Sequence, residues 1–309
     1  MIIFDVIIIG GGPAGLNAGV VLGRCRRSVL LFDTGSYRNK DSHGMHNYLT
    51  RDDIEPTEFI KICHEELKKY SVQRLNKTIV HAHKNDDGIF MVRDSEGTLY
   101  ESKKLLVATG LTDNLPEIEG FKEFYGKSIH HCPYCDGWEV SNKRIGVYAR
   151  NKPGWELALS MKSWSDHVVL YTDGKINVKP AQQKKLTANG VTVITLSIKK
   201  VAGNGKLEKI VFKNGTEAPC DAIFFVNGFK QQCDLAETFG CEMTGKGAVY
   251  ANKMQQTNIP GLYVAGDVAR EMHFVVVASA EGAKAGVNIN KELQQEVIEK
   301  NLKSKLATA

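Results

Sequence analysis

The sequence lacks the features that would place the protein in a membrane or in a secretory route. No apolar run approaches the roughly 20 residues of a membrane span, and Met1 is followed directly by Ile2-Ile3-Phe4, without the cationic stretch of a signal peptide. Only two of the 7 cysteines are close in sequence, which is not the pattern of a disulfide-stapled secreted domain. We therefore predict a cytoplasmic protein with no membrane segment.

The chain also lacks a strong charge imbalance. It carries 40 Lys+Arg against 35 Asp+Glu, a formal net charge of +5, and only the last residues concentrate positive charge. This distribution predicts a solvated surface and does not favour nucleic acid as a partner. A length of 309 residues with 42% hydrophobic content exceeds what one core usually fills. We therefore expect two domains.

A strand and a glycine turn open the chain. Residues 5–9 (DVIII) form a β-branched run typical of a strand buried on both faces. The turn 10–15 (GGGPAG) leads into a helical pattern, and a second apolar run, 28–32, ends at Asp33. Such glycines permit a tight turn and close backbone approach to a pyrophosphate, and the acid can accept hydrogen bonds from a ribose. The pattern predicts a dinucleotide site, with candidate residues Gly10, Gly12, Pro13, Ala14, Gly15 and Asp33.

A second motif, HHCPYCDGWE at 130–139, carries two thiols separated by two residues. Cys132 and Cys135 can close a small disulfide ring with little backbone motion, and thiol pKa values are commonly low in such motifs. Asp136 is placed to move the proton that disulfide exchange requires. The pair therefore predicts two-electron redox chemistry, and we interpret the other five cysteines as structural thiols.

Strand and helix patterns recur after the redox motif. Residues 144–226 alternate between the two patterns, and a last strand and a helix over about 276–293 follow. Residues 111–126 are interpreted as a linker. We predict an α/β fold of two Rossmann-like three-layer dinucleotide-binding domains, the second inserted in the first. The outer domain comprises 1–115 and 246–309, and the inserted one 116–245.

Three motifs in order resemble one family. GGGPAG, CPYCDG and NIPGLYVAGDV (258–268) are together similar to the low-molecular-weight thioredoxin reductases, FAD-dependent pyridine nucleotide-disulfide oxidoreductases. The resemblance spans nearly the whole chain. It implies an outer FAD-binding domain, an inserted NAD(P)H-type domain with the cysteine pair, and a homodimer. It also implies electron transfer between FAD, the cysteines and a thioredoxin-like protein or a small dithiol or disulfide.

The resemblance also implies roles for individual residues. Cys135 meets the flavin, Cys132 attacks the partner disulfide, and Asp136 is the general acid. Asp33 binds the adenosine ribose and Asp267 the ribityl chain. The remaining implied cofactor residues are Asn47, Val80, Ala108, Thr109, Gly110 and Gly266.

Three departures from the family concern the reductant. Residues 149–154 (ARNKPG) stand where the family has a second glycine motif, and Pro153 removes a backbone donor there. The next strand is followed by Thr172-Asp173-Gly174, whereas the family has His-Arg-Arg, which binds the 2′-phosphate of NADPH. An acid therefore stands where the family has cations. His273-Phe274 replaces an Arg-Gln pair near the flavin, which makes both accessory candidates. We therefore expect weak or absent NADPH use.

The sequence leaves the electron donor and the direction open. Thioredoxin-reductase-like branches include ferredoxin-linked reductases and oxygen-using dithiol oxidases, and a non-catalytic flavin-binding protein is a lesser alternative. His130 and His131 are either bases for an incoming thiol in the oxidase direction or polar residues at a domain-hinge surface. His43 and His46 are either accessory residues near the flavin or the dithiol pocket or polar surface residues. A zinc site at His131, Cys132 and Cys135 lacks a fourth ligand, so we predict no metal.

Overall fold

The computed structural model describes residues 2–174 and 178–307. The strands are β1 (Ile3–Ile9), β2 (Val29–Phe32), β3 (Val72–Leu75), β4 (Ile79–Lys84), β5 (Phe90–Asp94), β6 (Leu99–Val107), β7 (Leu111–Asp113), β8 (Ile129–His130), β9 (Ile145–Ala149), β10 (Val168–Tyr171), β11 (Thr192–Ile194), β12 (Ile198–Ala202), β13 (Lys209–Phe212), β14 (Glu217–Pro219), β15 (Ala222–Val226), β16 (Phe229–Gln231) and β17 (Leu262–Val264). The helices are α1 (Pro13–Arg24), α2 (Pro56–Leu67), α3 (Phe121–Phe124), α4 (Pro133–Asp136), α5 (Pro153–Ser160), α6 (Pro180–Ala188), α7 (Leu235–Thr238) and α8 (Val275–Ala307).

The first sheet is built from both ends of the chain. Its strand order is β3-β2-β1-β6-β5-β4, and β17 lies beside β6. β1 runs parallel to β2 and β6, and β17 pairs in parallel with the end of β6, Leu262 opposite Leu105. These central strands are continuous apolar runs because helices cover one face and the β4–β5 hairpin and later loops the other. The last strand of the chain thus ends beside the first glycine turn.

The second sheet lies wholly between those ends. Its order is β11-β10-β9-β15-β8, with every pairing parallel. Helices α5 and α6 pack on one face, and the three-stranded sheet β12-β13-β14 covers the other. The prediction of two Rossmann-like domains, one inserted in the other, is therefore confirmed.

The segment interpreted as a linker, 111–126, contains β7 and α3. β7 pairs antiparallel with β16, Asp113 opposite Phe229, so the outgoing and returning chains run side by side. Strands of three residues are too short for a period of two to appear in the sequence. After β16, the side chains of Leu235 and Cys241 pack into the core beneath the first sheet, with Ile7.

Helices α1 and α8 approach closely through small residues. A Cβ added at Gly282 would lie 1.9 Å from the carbonyl oxygen of Ala14, and one at Gly286 would lie 3.0 Å from the Val21 side chain. The small-residue run of α8 therefore seats it against the helix that follows the glycine turn. α8 continues to Ala307, past the predicted end near 293, because good helix formers extend it beyond its buried stripe.

Candidate active site

Two glycines of the turn 10–15 have no room for a side chain, and a third faces open space. Gly10 has a φ of +116°, and a Cβ there would lie 2.2 Å from the Ala108 carbonyl oxygen. A Cβ at Gly15 would lie 1.9 Å from the Gly10 carbonyl oxygen, whereas a Cβ at Gly12 would meet nothing within 4 Å. The backbone at Gly12 therefore faces open space at the start of α1, as a pyrophosphate site requires.

A cavity of about 300 Å³ extends from this turn to the redox motif. Thr109 contributes a buried hydroxyl oxygen that has no hydrogen-bond partner among the described residues. A polar group of a bound cofactor would supply that partner. Most of the predicted site residues share this cavity: Gly10, Gly12, Pro13, Ala14, Asp33, Ala108, Thr109, Gly110, Gly266, Asp267, His131, Cys135, Asp136, His273 and Phe274.

Some predicted residues lie outside the cavity wall. Gly15 is behind the turn, where it permits close packing. The Val80 side chain is 54% exposed, and its neighbour Ile79 lines the cavity in its place, because successive strand residues point to opposite faces. His43 is exposed and outside the wall, whereas His46 lines it.

Asn47 contacts the redox helix. Its Nδ2 donates to the carbonyl oxygen of Tyr134 at 2.7 Å. In the same loop, His46 Nε2 lies 3.5 Å from Glu139 Oε1. The loop after β2 therefore holds the redox motif of the inserted domain against the outer domain, a contact that the aperiodic loop sequence did not indicate.

The cysteine pair presents its two sulfurs to different surroundings. Cys132 and Cys135 are joined by a disulfide, with their Cα atoms 5.3 Å apart. Cys132 caps α4, its Sγ accepting the Cys135 N–H at 3.2 Å. Of the two, Cys135 lines the cavity. Both cysteines are partly buried, and they differ in that the cavity wall includes Cys135 and not Cys132.

Asp136 has a buried partner. Its Oδ1 lies 3.0 Å from Nδ1 of His130, and Asp136 itself lines the cavity. His130 is buried in β8, opposite Phe224 of β15. Since His130 is enclosed, it does not meet an incoming thiol directly.

A polar cluster joins the two domains beside the cysteines. Arg38 binds Asp113 through two hydrogen bonds, at 2.8 and 2.6 Å, and its third nitrogen donates to Asp267 at 3.1 Å. Tyr125 also donates to Asp113, and His131 Nδ1 lies 3.7 Å from it. Sequence reasoning missed Arg38, Asp113 and Tyr125, because they lie in a loop, a three-residue strand and a turn.

Electrostatics in this cluster define two protonation states. Burial alone would raise the pKa of Asp113, but the Arg38 hydrogen bonds outweigh it and lower that pKa to about 2. Burial, followed by the Arg38 charge, lowers the pKa of His131 to about 4. At neutral pH the cluster therefore holds a carboxylate at Asp113 and a neutral imidazole beside the cysteines.

The two carboxylates at the strand ends are held by different partners. Asp33 Oδ1 accepts the Gly35 N–H at 2.9 Å, and its Oδ2 accepts the Tyr37 hydroxyl at 2.6 Å. At the turn before Asp267, the Gly266 N–H donates to Glu281 of α8 at 3.0 Å. Both acids thus stand at the carboxyl ends of parallel strands of the first sheet, β2 and β17, with β1 and β6 between them, and dinucleotides bind at this edge of such sheets.

Comparisons with known proteins agree with this geometry. The family model for pyridine nucleotide-disulphide oxidoreductases matches residues 4–282. Thioredoxin reductase tcpT from Claviceps purpurea is 33% identical over 298 residues, 92% of each chain. The crystal structure of TrxB from Bacillus anthracis has a TM-score of 0.91 at 33% identity and covers 95% of this chain and 99% of its own. That of an oxidoreductase from Agrobacterium tumefaciens has a TM-score of 0.89, also at 33% identity, over 95% of this chain and 99% of its own.

The chain belongs to the pyridine nucleotide-disulphide oxidoreductase family. Within that family it is a thioredoxin reductase-like FAD-dependent disulfide oxidoreductase. The cavity fits FAD, because the open backbone at Gly12 can bind its pyrophosphate. The Thr109 hydroxyl, which has no partner among the described residues, can form a hydrogen bond with one of its polar groups. The relatives do not favour the alternatives of a dithiol oxidase, a ferredoxin-linked reductase or a non-catalytic flavin-binding protein.

The second dinucleotide position of this family member does not fit NADPH. A Cβ at Gly154 would lie 1.9 Å from the Ala149 Cβ, which is the same close packing that Gly15 allows in the first turn, so the two turns differ in their remaining backbone donors. The first turn of α5 uses its own donors, Gly154 N–H to Asn151 O and Trp155 N–H to Lys152 O, both at 3.1 Å. Little backbone is left to bind a phosphate.

An acid also follows β10, where cations would be needed to bind a 2′-phosphate. Asp173 is buried, forms an ion pair with Arg150, and accepts the Ile198 N–H at 2.8 Å. A carboxylate at this position repels a phosphate, and its ordinary partner is a ribose hydroxyl. The hydroxyl oxygens of Tyr148 and Thr172, buried at the ends of these strands, have no partner among the described residues.

The other thiols divide by surroundings. Cys220 and Cys241 are buried, as structural thiols are, but Cys25 is exposed and Cys233 lines the cavity. Among the described residues there is no group of three or more potential metal ligands. No helix within 2–174 or 178–307 is long and apolar enough to cross a membrane.

Proposed function

We propose that this chain transfers electrons from its flavin through Cys135 and Cys132 to the disulfide of a thioredoxin-like protein or of a small molecule. The observation that carries the proposal is the division of the cysteine pair. Cys135 and Asp136 line the cavity that contains the glycine turn, and Cys132 lies outside that wall. This division supports the assignment of Cys135 to exchange with the flavin and of Cys132 to exchange with the partner.

FAD, when bound, supplies a two-electron store. The Cys132–Cys135 disulfide takes up two electrons and two protons to become a dithiol. The Cys132 thiolate then attacks one partner sulfur and releases the other, and Cys135 attacks Cys132 to free the reduced partner and restore the disulfide. We assign to Asp136 the proton transfers between the cysteine thiols and the leaving partner sulfurs.

The cofactor roles are refined by position. We infer that Gly10 and Gly12 face the pyrophosphate, and that Pro13 and Ala14 start the helix whose N-terminus favours its charge. Gly15 acts through packing, and Asn47 acts by holding the redox helix. Asp33 is assigned to the ribose, Asp267 to the ribityl chain, Ile79 in place of Val80 to the adenine, and Ala108, Thr109, Gly110 and Gly266 to the flavin end.

The domain division is likewise a proposal. We place the FAD-binding domain at 1–115 together with the chain end, and start the inserted domain at 116. Its second boundary is better set near Gly228 than at 245, because β16 returns beside β7 and the side chains that follow pack beneath the first sheet. The family resemblance supports a cytoplasmic homodimer, which light scattering of the purified protein would test.

We propose that NADPH is not the efficient reductant. The turn at 149–154, whose donors bond within the turn, and the Asp173 carboxylate support this. Reduced ferredoxin, which needs no dinucleotide turn, is the alternative donor. NADH has ribose hydroxyls that suit the Asp173 carboxylate, but its pyrophosphate would need the same turn.

Anaerobic reduction of the flavin in the purified protein tests this function. Dithiothreitol, NADPH, NADH and reduced ferredoxin are mixed with the enzyme separately, and the loss of visible flavin absorbance is followed in a stopped-flow instrument. We expect rapid bleaching by dithiothreitol and slow or no bleaching by NADPH. Fast bleaching by micromolar NADPH would contradict the donor proposal.

Cys135→Ser is the matched variant for the thiol route, and Cys220→Ser, a buried thiol away from the cavity, is its control. Cys135→Ser should keep bound yellow flavin and lose bleaching by dithiothreitol, whereas Cys220→Ser should keep both. Unchanged bleaching in Cys135→Ser would remove the thiol mechanism. Oxygen consumption with dithiothreitol as substrate reports whether the flow also runs in the oxidase direction.

A further inference from the structure

The neighbourhood of Asp136 contains a group with no part in the proposed thiol chemistry. His130 lies on β8, the edge strand of the second sheet, with its side chain 8% exposed. Its ring packs against Phe224, with ring centroids 5.5 Å apart, and its Nδ1 lies 3.0 Å from Asp136 Oδ1. The imidazole is thus enclosed beside the carboxyl group of Asp136, the residue that directly follows the cysteine pair.

Stability alone is a weak explanation for this pair. Taking a charged or polar pair out of water costs free energy that its attraction often fails to recover, and apolar replacements of such pairs are frequently neutral or stabilising. The Phe224 ring that His130 packs against belongs to a buried apolar cluster with Val140 and Val147. A histidine here therefore costs more than an apolar residue would, unless its nitrogen has a task at Asp136.

The backbone fixes both members of the pair. His130 is held by parallel pairing of β8 with β15. Asp136 ends α4, whose first turn is capped by the Cys132 sulfur. The contact therefore ties the carboxyl to the sheet and the helix together, and it fixes which way the carboxyl turns relative to the cavity that Asp136 shares with Cys135.

We propose that His130 is a positioning residue that acts through Asp136 by holding its carboxyl toward the cysteine pair. This inference rests on the proposed function, in which Asp136 carries protons. In each exchange the cysteine dithiol becomes a disulfide, the partner disulfide becomes two thiols, and two protons pass from the cysteine sulfurs to the partner sulfurs. Asp136 takes up and returns these protons, and His130 keeps it in place without contacting the substrate.

A double-mutant cycle tests this role. The rate of flavin bleaching by dithiothreitol is measured anaerobically for the wild type, His130→Phe, Asp136→Asn and the double variant. General acid–base groups contribute about 10²–10⁴-fold, so we expect Asp136→Asn to slow bleaching on the order of 100-fold. We expect His130→Phe to slow it on the order of 10-fold, and to have almost no further effect in the Asp136→Asn background.

Conservative rescue distinguishes positioning from packing. His130→Asn keeps a neutral donor near the Nδ1 position, and we expect it to recover most of the rate that His130→Phe loses. His83→Asn, at an exposed histidine on β4, serves as the matched control and should not change the rate. Where His130→Phe does not fold with bound flavin, His130→Leu takes its place in the cycle.

Several results would overturn the inference. These are an unchanged rate in His130→Phe, an equal slowing in both backgrounds, and a His130→Asn variant as slow as His130→Phe. The proposed function fails separately. If dithiothreitol still bleaches the flavin of Cys135→Ser, the thiol route is wrong. If Cys135→Ser does not bleach but Asp136→Asn bleaches at the wild-type rate, the proton carrier is misassigned, and the role of His130 is then wrong as well.

Discussion

At the residue scale, the surroundings of His131 lower the pKa of its imidazole below the ordinary value for a histidine. The sequence placed it next to Cys132 as a base or a surface residue, and the structure places it beside Arg38 and Asp113 in the cavity wall. Burial and the Arg38 charge lower its pKa to about 4 from an ordinary 6.5. It is therefore neutral near pH 7, where it can accept a proton or a hydrogen bond.

This lowered pKa predicts an acid-dependent loss of stability. Between pH 6.5 and about 4 the unfolded chain binds a proton at His131 that the folded chain does not, so stability falls as the pH falls through this window. Because 28% of the side chain is exposed, solvent limits the effect to about 1 kcal/mol. His131→Asn should reduce the pH dependence of the unfolding free energy by that amount in urea titrations.

The neighbouring carboxylate titrates in a different window. The pKa of Asp113 is lowered to about 2 from 3.8, so its contribution is complete above pH 3.8 and is lost only below it. An identical slope in wild type and His131→Asn across pH 4 to 6.5 would show that His131 titrates normally in the fold.

At the element scale, close contact between α1 and α8 positions the glycine turn. The carbonyl oxygen of Ala14, in the first turn of α1, is where a Cβ at Gly282 would collide. Glu281, the preceding residue of α8, accepts the Gly266 N–H and binds Arg270. One helix therefore supports both the first strand's turn and the last strand's turn, which together form the cofactor cavity.

Gly282→Ala should weaken this support. The added methyl must displace backbone, and overpacking of this kind costs about 1–3 kcal/mol, which exceeds the roughly 1 kcal/mol that alanine gains over glycine within a helix. We expect a net destabilisation of about 1 kcal/mol and weaker FAD retention on dialysis. Gly19→Ala in α1 is the matched control, since its Cβ would meet side chains and no backbone: Leu67 at 3.3 Å, Leu31 at 3.7 Å and Val72 at 3.8 Å. Equal effects of the two changes would contradict this account.

At the scale of the whole molecule, a polar cluster around Asp113 spans the junction of the two domains. Asp113 lies in β7, where the chain leaves the outer domain, and Arg38 lies in the outer domain's loop. Tyr125 and His131 reach the same carboxylate from the inserted domain. Together with the Asn47–Tyr134 contact, this cluster holds Cys135 against the cavity.

Asp113→Asn should loosen that arrangement. It removes the charge that pairs with Arg38, and loss of one partner of a largely buried pair costs about 2–3 kcal/mol. We expect each sheet to remain folded and bleaching of the flavin by dithiothreitol to slow on the order of 10-fold, because close placement of the reacting groups is lost. The measurement is stopped-flow absorbance under anaerobic conditions.

The inserted domain offers a matched control. Asp221 pairs with Arg144 through a similar two-pronged contact, at 2.9 and 2.5 Å, but neither residue lines the cavity. Asp221→Asn should therefore leave the bleaching rate unchanged. A rate loss shared by both variants would assign the effect to general destabilisation and not to the domain junction.

The sequence alone determined what depends on neighbours along the chain. The turn 10–15, the acid after the second strand and the cysteine spacing are local patterns, because turn geometry, helix capping and thiol reactivity are decided within a few residues. The insertion of one domain in the other also followed from motif order. The period-two and period-3.6 signals located most long elements, but not the three-residue strand β7 or the end of α8.

Only the tertiary structure decided which distant groups share the site. Arg38 and Asp267 are 229 residues apart, and Asn17 of α1 and Ser279 of α8 are 262 apart, so no spacing rule relates them. His130 had an ambiguous meaning as a sequence letter and acquired a partner only when β8 and α4 were placed together. Contacts of this kind depend on how sheets and helices pack around a common cavity, and a single sequence does not carry that distance information.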